Sequence, residues 1–172
     1  AVIAPAVLAT CERFGRDGPS ALVGMVAGIE SLCRLSMVIP KAIHKAGFHP
    51  TSVLGTMGST LAASVTLGLN QRQTVDALGI AGSLAAGIIE YLAEGAWTKR
   101  LHAGWAAQAG VQAARLGQQG FLGPRTVFEG THGLFKAFAH TTEGNYGILT
   151  EDFGKTWYME GITFKPYATG TM

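Results

Sequence analysis

Apolar positions recur at helical spacing along most of the chain, and strand-like alternation is nearly absent until its end. Val2, Ile3, Val7, Leu8, Cys11 and Phe14 predict a helix over residues 2–14, stopped by Gly15. A second helix is predicted over 19–35. Pro19 suits its first turn, and Leu22, Val23, Val26, Ile29, Leu32 and Cys33 share one broad face. The two read as an antiparallel hairpin. Pro40, Gly47 and Pro50 make residues 36–50 irregular in part, because proline restricts both itself and its predecessor.

A third helix is predicted from about Thr51 to Leu69, closed by Asn70-Gln71. A fourth starts near Thr74 and runs through Ala77, Leu78, Ile80, Ala81, Leu84, Ala85, Ile88 and Ile89, with Tyr91 and Leu92 following. The fifth, Thr98 to Leu116, carries Leu101, Trp105, Ala109, Val111 and Ala114 before Gly117 and Gly120. Glycines then punctuate short segments, with a brief helix at Leu134–His140. Gly161 to Tyr167 alternates as one strand ending near Pro166. One strand needs partners, so residues 151–172 are expected to begin a mixed domain whose remainder lies beyond Met172. No fixed-period repeat accompanies the helices.

The longest stretch without a charged residue, Ala46 to Gln71, is long enough to span a membrane. Its content argues otherwise, since Pro50, Asn70 and many Ser and Thr interrupt it. A buried helix of a soluble protein is expected, and Gly55, Gly58, Ala62 and Ala63 would let neighbouring helices approach closely.

The chain has 172 residues, of which 14% are charged and 48% apolar, so one densely packed domain is expected rather than disorder. Thirteen Lys and Arg against eleven Asp and Glu leave a net charge of +2 without a basic block, too little for phosphate-backbone binding. Cys11 and Cys33, lacking a CxxC pair, read as small apolar side chains in a reducing compartment. The opening Ala1-Val2-Ile3-Ala4-Pro5 has no secretory signature, and the chain reads as an internal piece of a longer protein.

Candidate chemistry lies in the polar residues set into this apolar background. Gly47-Phe48-His49-Pro50-Thr51-Ser52 puts an imidazole at a helix mouth, as a general acid or base near a bound anion or as a cap of that helix. Trp97-Thr98-Lys99-Arg100-Leu101-His102 puts two cations into a first helical turn, against the helix dipole. A bound carboxylate would explain them. So would solvent exposure, or pairing with Glu90 or Glu94. Lys165 is either a functional amine or an edge-strand lysine that discourages aggregation. His44, His132 and His140 have no metal-ligand spacing, and no Walker, GxSxG, HExxH or dinucleotide motif is present.

Several of these runs together resemble the MmgE/PrpD family: Gly47 to Gly55, Ala77 to Ser83, Thr98 to Gly104, Ala106-Ala107 before Gly110-Val111, Gly120 to Pro124, Glu129-Gly130 and Phe164-Lys165-Pro166-Tyr167. The resemblance implies a mainly α fold. Residues 1–150 would form part of an antiparallel helical-bundle domain, and 151–172 the start of a smaller α+β lid with its first strand. Family activities include 2-methylcitrate dehydration, cis-aconitate decarboxylation and iminodisuccinate epimerisation, without metal or organic cofactor. By position, the resemblance implies His49, Lys99 and Lys165 as catalytic residues; Arg100, from the paired cations, and His102, within the Lys99 motif, are expected to bind substrate.

The expectation is a cytoplasmic, homodimeric, cofactor-independent lyase acting on a small di- or tricarboxylate, foremost a 2-methylcitrate-type dehydratase. A decarboxylase or epimerase of the same fold is the alternative, and a non-catalytic dimerisation module is a rival from another class. Family members are more than twice this length, with an aspartate and a His-Pro motif upstream of the counterpart of Ala1. The run after their lid tyrosine is replaced here by Ala168-Thr169-Gly170. The chain alone is therefore expected to be inactive.

Overall fold

In the computed structural model, which describes residues 1–163, one buried helix organises the others. This is α4 (Pro50–Leu67), flanked by α1 (Ile3–Phe14), α2 (Gly18–Val38), α5 (Gln71–Leu84) and α7 (Thr98–Gln118). Small residues make the enclosure possible. A Cβ on Gly28 of α2 would lie 2.6 Å from the Cβ of Ala62, and one on Gly110 of α7 would lie 2.5 Å from the Cβ of Ser59. Burying a helix with so many hydroxyls would be costly if they lacked partners. Several return to the backbone one turn earlier: Thr56 donates to the Ser52 carbonyl at 2.9 Å, Thr60 to Thr56 at 2.7 Å and Thr66 to Ala62 at 2.8 Å.

The close helix packing expected of Gly55, Gly58, Ala62 and Ala63 is therefore present, but α2 meets it with a face shifted from the one periodicity indicated, Ile29 and Leu32 packing only partly buried against the core. Leu22 and Val23 are exposed, while Gly24, Gly28, Leu35 and Val38 are buried. The glycine seam allows backbone approach to α4, which the bulkier Leu22 and Val23 face would prevent. By length and composition α2 is the one helix among the described residues apolar enough to cross a membrane. It also holds a buried ion pair, Glu30–Arg34.

Gly15 ends α1 in the left-handed region, as expected. The boundary between α4 and α5 differs. Gly68 ends α4 at φ 75°, and Asn70 starts α5 through a capping box: its side chain accepts from the Gln73 N–H, while the Gln73 side chain accepts from the Asn70 N–H. The expected fourth helix also stops early, at Leu84. A turn through Gly87 separates it from α6 (Tyr91–Glu94). Within the irregular stretch 36–50 lies α3 (Ala42–Lys45), and α8 (Leu134–Ala139) is the expected brief helix.

The architecture is mainly α, with no strand among the described residues. Phe48 and Ile88 make an isolated antiparallel bridge. Of the strand expected over 161–167, Gly161 instead closes a 3-10 turn, Tyr158–Gly161, and Ile162 and Thr163 form no strand pairing among the described residues. The rest, with Lys165, lies outside the described residues. Residues 146–161 fold back onto α2, where the buried Arg34 donates to the carbonyls of Ile148, Glu151 and Thr156 at 2.6, 2.8 and 2.9 Å. Cys11 and Cys33 are half-buried free thiols, and burial, then Glu30, pushes the Cys33 thiol up.

Candidate functional site

The entry to α4 is shaped by two chain segments tied together. The His49 N–H donates to the Gly87 carbonyl at 2.9 Å, and the Ile89 N–H to the Gly47 carbonyl at 3.0 Å, on either side of the Phe48–Ile88 bridge. Gly87 is required by both conformation and space. Its φ is 122°, and a Cβ there would lie 2.7 Å from the Cβ of Ser52 and 3.3 Å from Cε1 of His102. The turn after α5 is thereby held against the first turn of α4.

His49 occupies the N-cap position of α4, yet its side chain makes no capping hydrogen bond. The ring turns away, and its Nδ1 lies 3.0 Å from Nδ1 of His102, which α7 presents one turn in from its start. Tyr91, the first residue of α6, packs edge-on against both, with ring centroids 5.5 Å from His49 and 5.6 Å from His102. Lys99 completes the group, its Nζ 5.8 Å from the centre of the Tyr91 ring. Three separate helix starts and the Gly87 turn thus bring together residues remote in sequence.

Beside them opens a cleft of about 440 Å³, lined by His102, Tyr91, Gly87, Ile88, Leu101 and Thr98, with Glu90 and Glu94 also on its wall. That volume accommodates a small organic acid. Another hollow, of about 360 Å³ between α5 and α8, contains His132 as its single ionisable side chain, so it offers less chemistry. Ser52 is fully buried behind the Gly87 turn, and its Oγ has no hydrogen-bond partner among the described residues.

The charges fit a site that keeps its imidazoles neutral. Burial holds His49 below its usual 6.5, and the positive neighbours His102, Lys99 and His44 add to the effect. Burial alone holds His102 below the same value and pushes Tyr91 above 10.0. Among the described residues the ion pairs are Glu30–Arg34 and Arg72–Asp76, so neither Lys99 nor Arg100 is paired with Glu90 or Glu94. No third His, Cys, Asp or Glu joins the two histidines as a metal-ligand group among the described residues.

Of the residues singled out in the sequence, His49, Lys99 and His102 come together. Lys99 and Arg100 are both exposed, but Arg100 does not join them, since its guanidinium lies over the exposed Trp97 ring at 5.0 Å. Lys165 lies outside the described residues. Tyr91 and Ser52 were missed as site residues. Tyr91 reads as the tail of an unbroken helix unless Gly87 is taken as a turn, and Ser52 reads as an ordinary first-turn polar residue.

A family model described as the MmgE/PrpD N-terminal domain matches residues 1–146. The chain is similar to a cis-aconitate decarboxylase-like protein of Aspergillus oryzae, 30% identical over 182 residues covering 97% of this chain and 37% of the relative. It is also similar to the human cis-aconitate decarboxylase, 37% identical over 174 residues covering 96% of this chain and 35% of the relative. A cis-aconitate decarboxylase of Aspergillus terreus is 28% identical over 178 residues, covering 97% and 36%. The chain thus spans little more than a third of the length of these curated relatives.

Proposed function

Because this chain belongs to the MmgE/PrpD family, we propose that it supplies the helical wall of a lyase active site for a small polycarboxylate, with decarboxylation of a cis-aconitate-type substrate as the favoured reaction. The observation that carries this reading is the convergence of His49, His102 and Lys99 around Tyr91 beside one cleft. The choice of decarboxylation rests on the similarity to cis-aconitate decarboxylases. Dehydration of a 2-methylcitrate-type substrate would use the same wall and remains the second reading.

Loss of carbon dioxide from a carboxylate leaves the electron pair of the broken C–C bond on carbon, and a positioned acid must supply a proton to it. His49 and His102, their Nδ1 atoms 3.0 Å apart, are the groups assigned to move that proton. Lys99 holds a substrate carboxylate and offsets the negative charge that builds as the bond breaks. Because the 172 residues span little more than a third of these relatives' length, they are proposed to need the rest of such a protein for activity.

The test is made on the natural protein carrying these residues. It is supplied with cis-aconitate, 2-methylcitrate and related acids, and carbon dioxide release, water loss and deuterium uptake from solvent are measured. Carbon dioxide release from cis-aconitate is expected. Water loss from 2-methylcitrate without carbon dioxide release would favour the second reading, and inactivity with every polycarboxylate would overturn both.

A further inference from the structure

We propose, building on the lyase reading above, that His49 and His102 form a two-ring proton relay joined Nδ1 to Nδ1, in which His102 fixes the protonation of His49 instead of binding substrate. Their Nδ1 atoms are 3.0 Å apart. Two bare ring nitrogens repel at that distance, and two N–H groups point their hydrogens at one another. A single proton therefore lies between them, donated by one ring and accepted by the other. In an uncharged pair this settles the remaining nitrogens. The donor ring has a bare Nε2, and the acceptor ring carries its proton on Nε2. One contact thus makes a base and an acid from two identical side chains.

The surroundings favour the uncharged pair. Both rings are held below their usual value by burial, and Lys99 and His44 further oppose a positive charge on His49. Tyr91 packs against both rings, and the Gly87 turn backs His102, so the two planes are held 45° apart. Neither Nε2 has a hydrogen-bond partner among the described residues, which leaves both for substrate or solvent. Glu90 and Glu94 line the same cleft without pairing to either ring.

The transfer balances. A proton from solvent binds the bare Nε2 of the donor ring, whose Nδ1 proton crosses to Nδ1 of the acceptor ring. The acceptor's Nε2 proton leaves to the substrate carbon, where it forms a C–H bond with the electron pair of the broken C–C bond. Two N–H bonds form and two break, neither ring is left charged, and the rings have exchanged tautomers. Before the next turnover the pair returns to its starting tautomers through the same steps, with solvent giving and taking the protons.

The experiment has two arms on the natural protein carrying this chain. The first labels the histidine rings with nitrogen-15 and reads their tautomers by NMR near neutral pH without substrate. One ring protonated at Nδ1 and the other at Nε2 is expected. Two rings with the same tautomer, or an imidazolium in either, overturn the proposal. The second arm uses His102→Asn, whose amide still reaches the His49 Nδ1 but has no second nitrogen to pass a proton on. A kcat loss of about 100-fold with little change in KM is expected. The dependence of kcat on the deuterium fraction of the solvent should change from curved, for two protons in motion, to linear. Wild-type kcat with an unchanged dependence overturns the relay. Complementary tautomers in a protein inactive on every polycarboxylate uphold the shared proton and defeat the lyase reading alone.

Discussion

The Arg34 guanidinium meets the Glu30 carboxylate at 2.7 Å, one helical turn apart, with both side chains shut off from solvent. The second carboxylate oxygen of Glu30 accepts the Met159 N–H at 2.9 Å, and the Phe153 and Tyr158 rings lie 5.1 and 5.0 Å from the guanidinium carbon. One ion pair therefore fastens the segment that leaves the helical body. Removing one partner strands the other, which typically costs about 3–5 kcal/mol. Arg34→Met is expected to lose stability of that order in urea unfolding and to expose residues 146–161 to proteolysis. An unchanged midpoint would show that the pair holds nothing.

Helix propensity and packing make opposite predictions for two glycines of α7, and size decides between them. At Gly104 a Cβ meets nothing within 4 Å, so Gly104→Ala is expected to stabilise by about 0.5–1 kcal/mol through the loss of glycine's backbone freedom. At Gly110 the same Cβ would lie 2.7 Å from the backbone of Ser59 and Thr60, and forcing the helices apart costs about 1–3 kcal/mol. Gly110→Ala should therefore lower the melting temperature while Gly104→Ala raises it. A shift of the same sign in both would contradict the packing argument.

Acid should weaken the fold in two stages. His49 and His102 have folded values below 6.5, so the unfolded chain binds more protons as pH falls past 6.5, and stability drops until their folded values are passed. Burial pushes the Glu30 carboxyl up. The Met159 N–H and the Arg34 guanidinium outweigh it, and the net value lies below 4.5. Its contribution is present above 4.5 and lost as pH falls through the folded value. Unfolding free energy measured from pH 8 down to 3 should stay flat at first, then decline in both windows. A rise between pH 6.5 and 5 would contradict the histidine burial.

Lys99 and Arg100 are neighbours in sequence with different surroundings, and activity should separate them. In the natural protein Lys99→Ala or His49→Ala is expected to cut kcat/KM by about 100-fold or more. Arg100→Ala should stay within a few-fold, because its guanidinium lies on Trp97 and not against the histidines. Equal losses at positions 99 and 100 would place Arg100 in the substrate site after all.

Gly87→Ala combines a strained backbone with a collision against Ser52 and His102. A side chain at that φ costs about 1–3 kcal/mol. Displacement of the His102 ring should reduce turnover beyond the loss of folded protein, as measured by kcat per mole of folded enzyme. Full specific activity would show that the turn does not position the ring.

The mainly α character and the close approach of helices to α4 were legible in the sequence, because Gly55, Gly58 and Ala62 lie at spacings that only tight packing explains. The face of α2 was not legible. Leu22 and Val23 outweigh Gly24 and Gly28 on any hydrophobicity count, whereas the glycines prevail by letting two backbones meet. His49 and Lys99 were recognisable from their motifs. That His102 would face His49 was not, since it depends on how α7 crosses α4. Tyr91 was hidden by an apolar periodicity that runs across the Gly87 turn.

The enclosure of α4 also bears on how the site opens. Backbone amides in a helix surrounded by four others should exchange with solvent only when the whole body unfolds, whereas the turn after α5 and the short α6 lie at the surface and can open locally. His49 thus starts the more protected scaffold, and Tyr91, itself buried, stands on a less protected one. Any local opening of that turn would therefore shift Tyr91 against an imidazole that stays fixed.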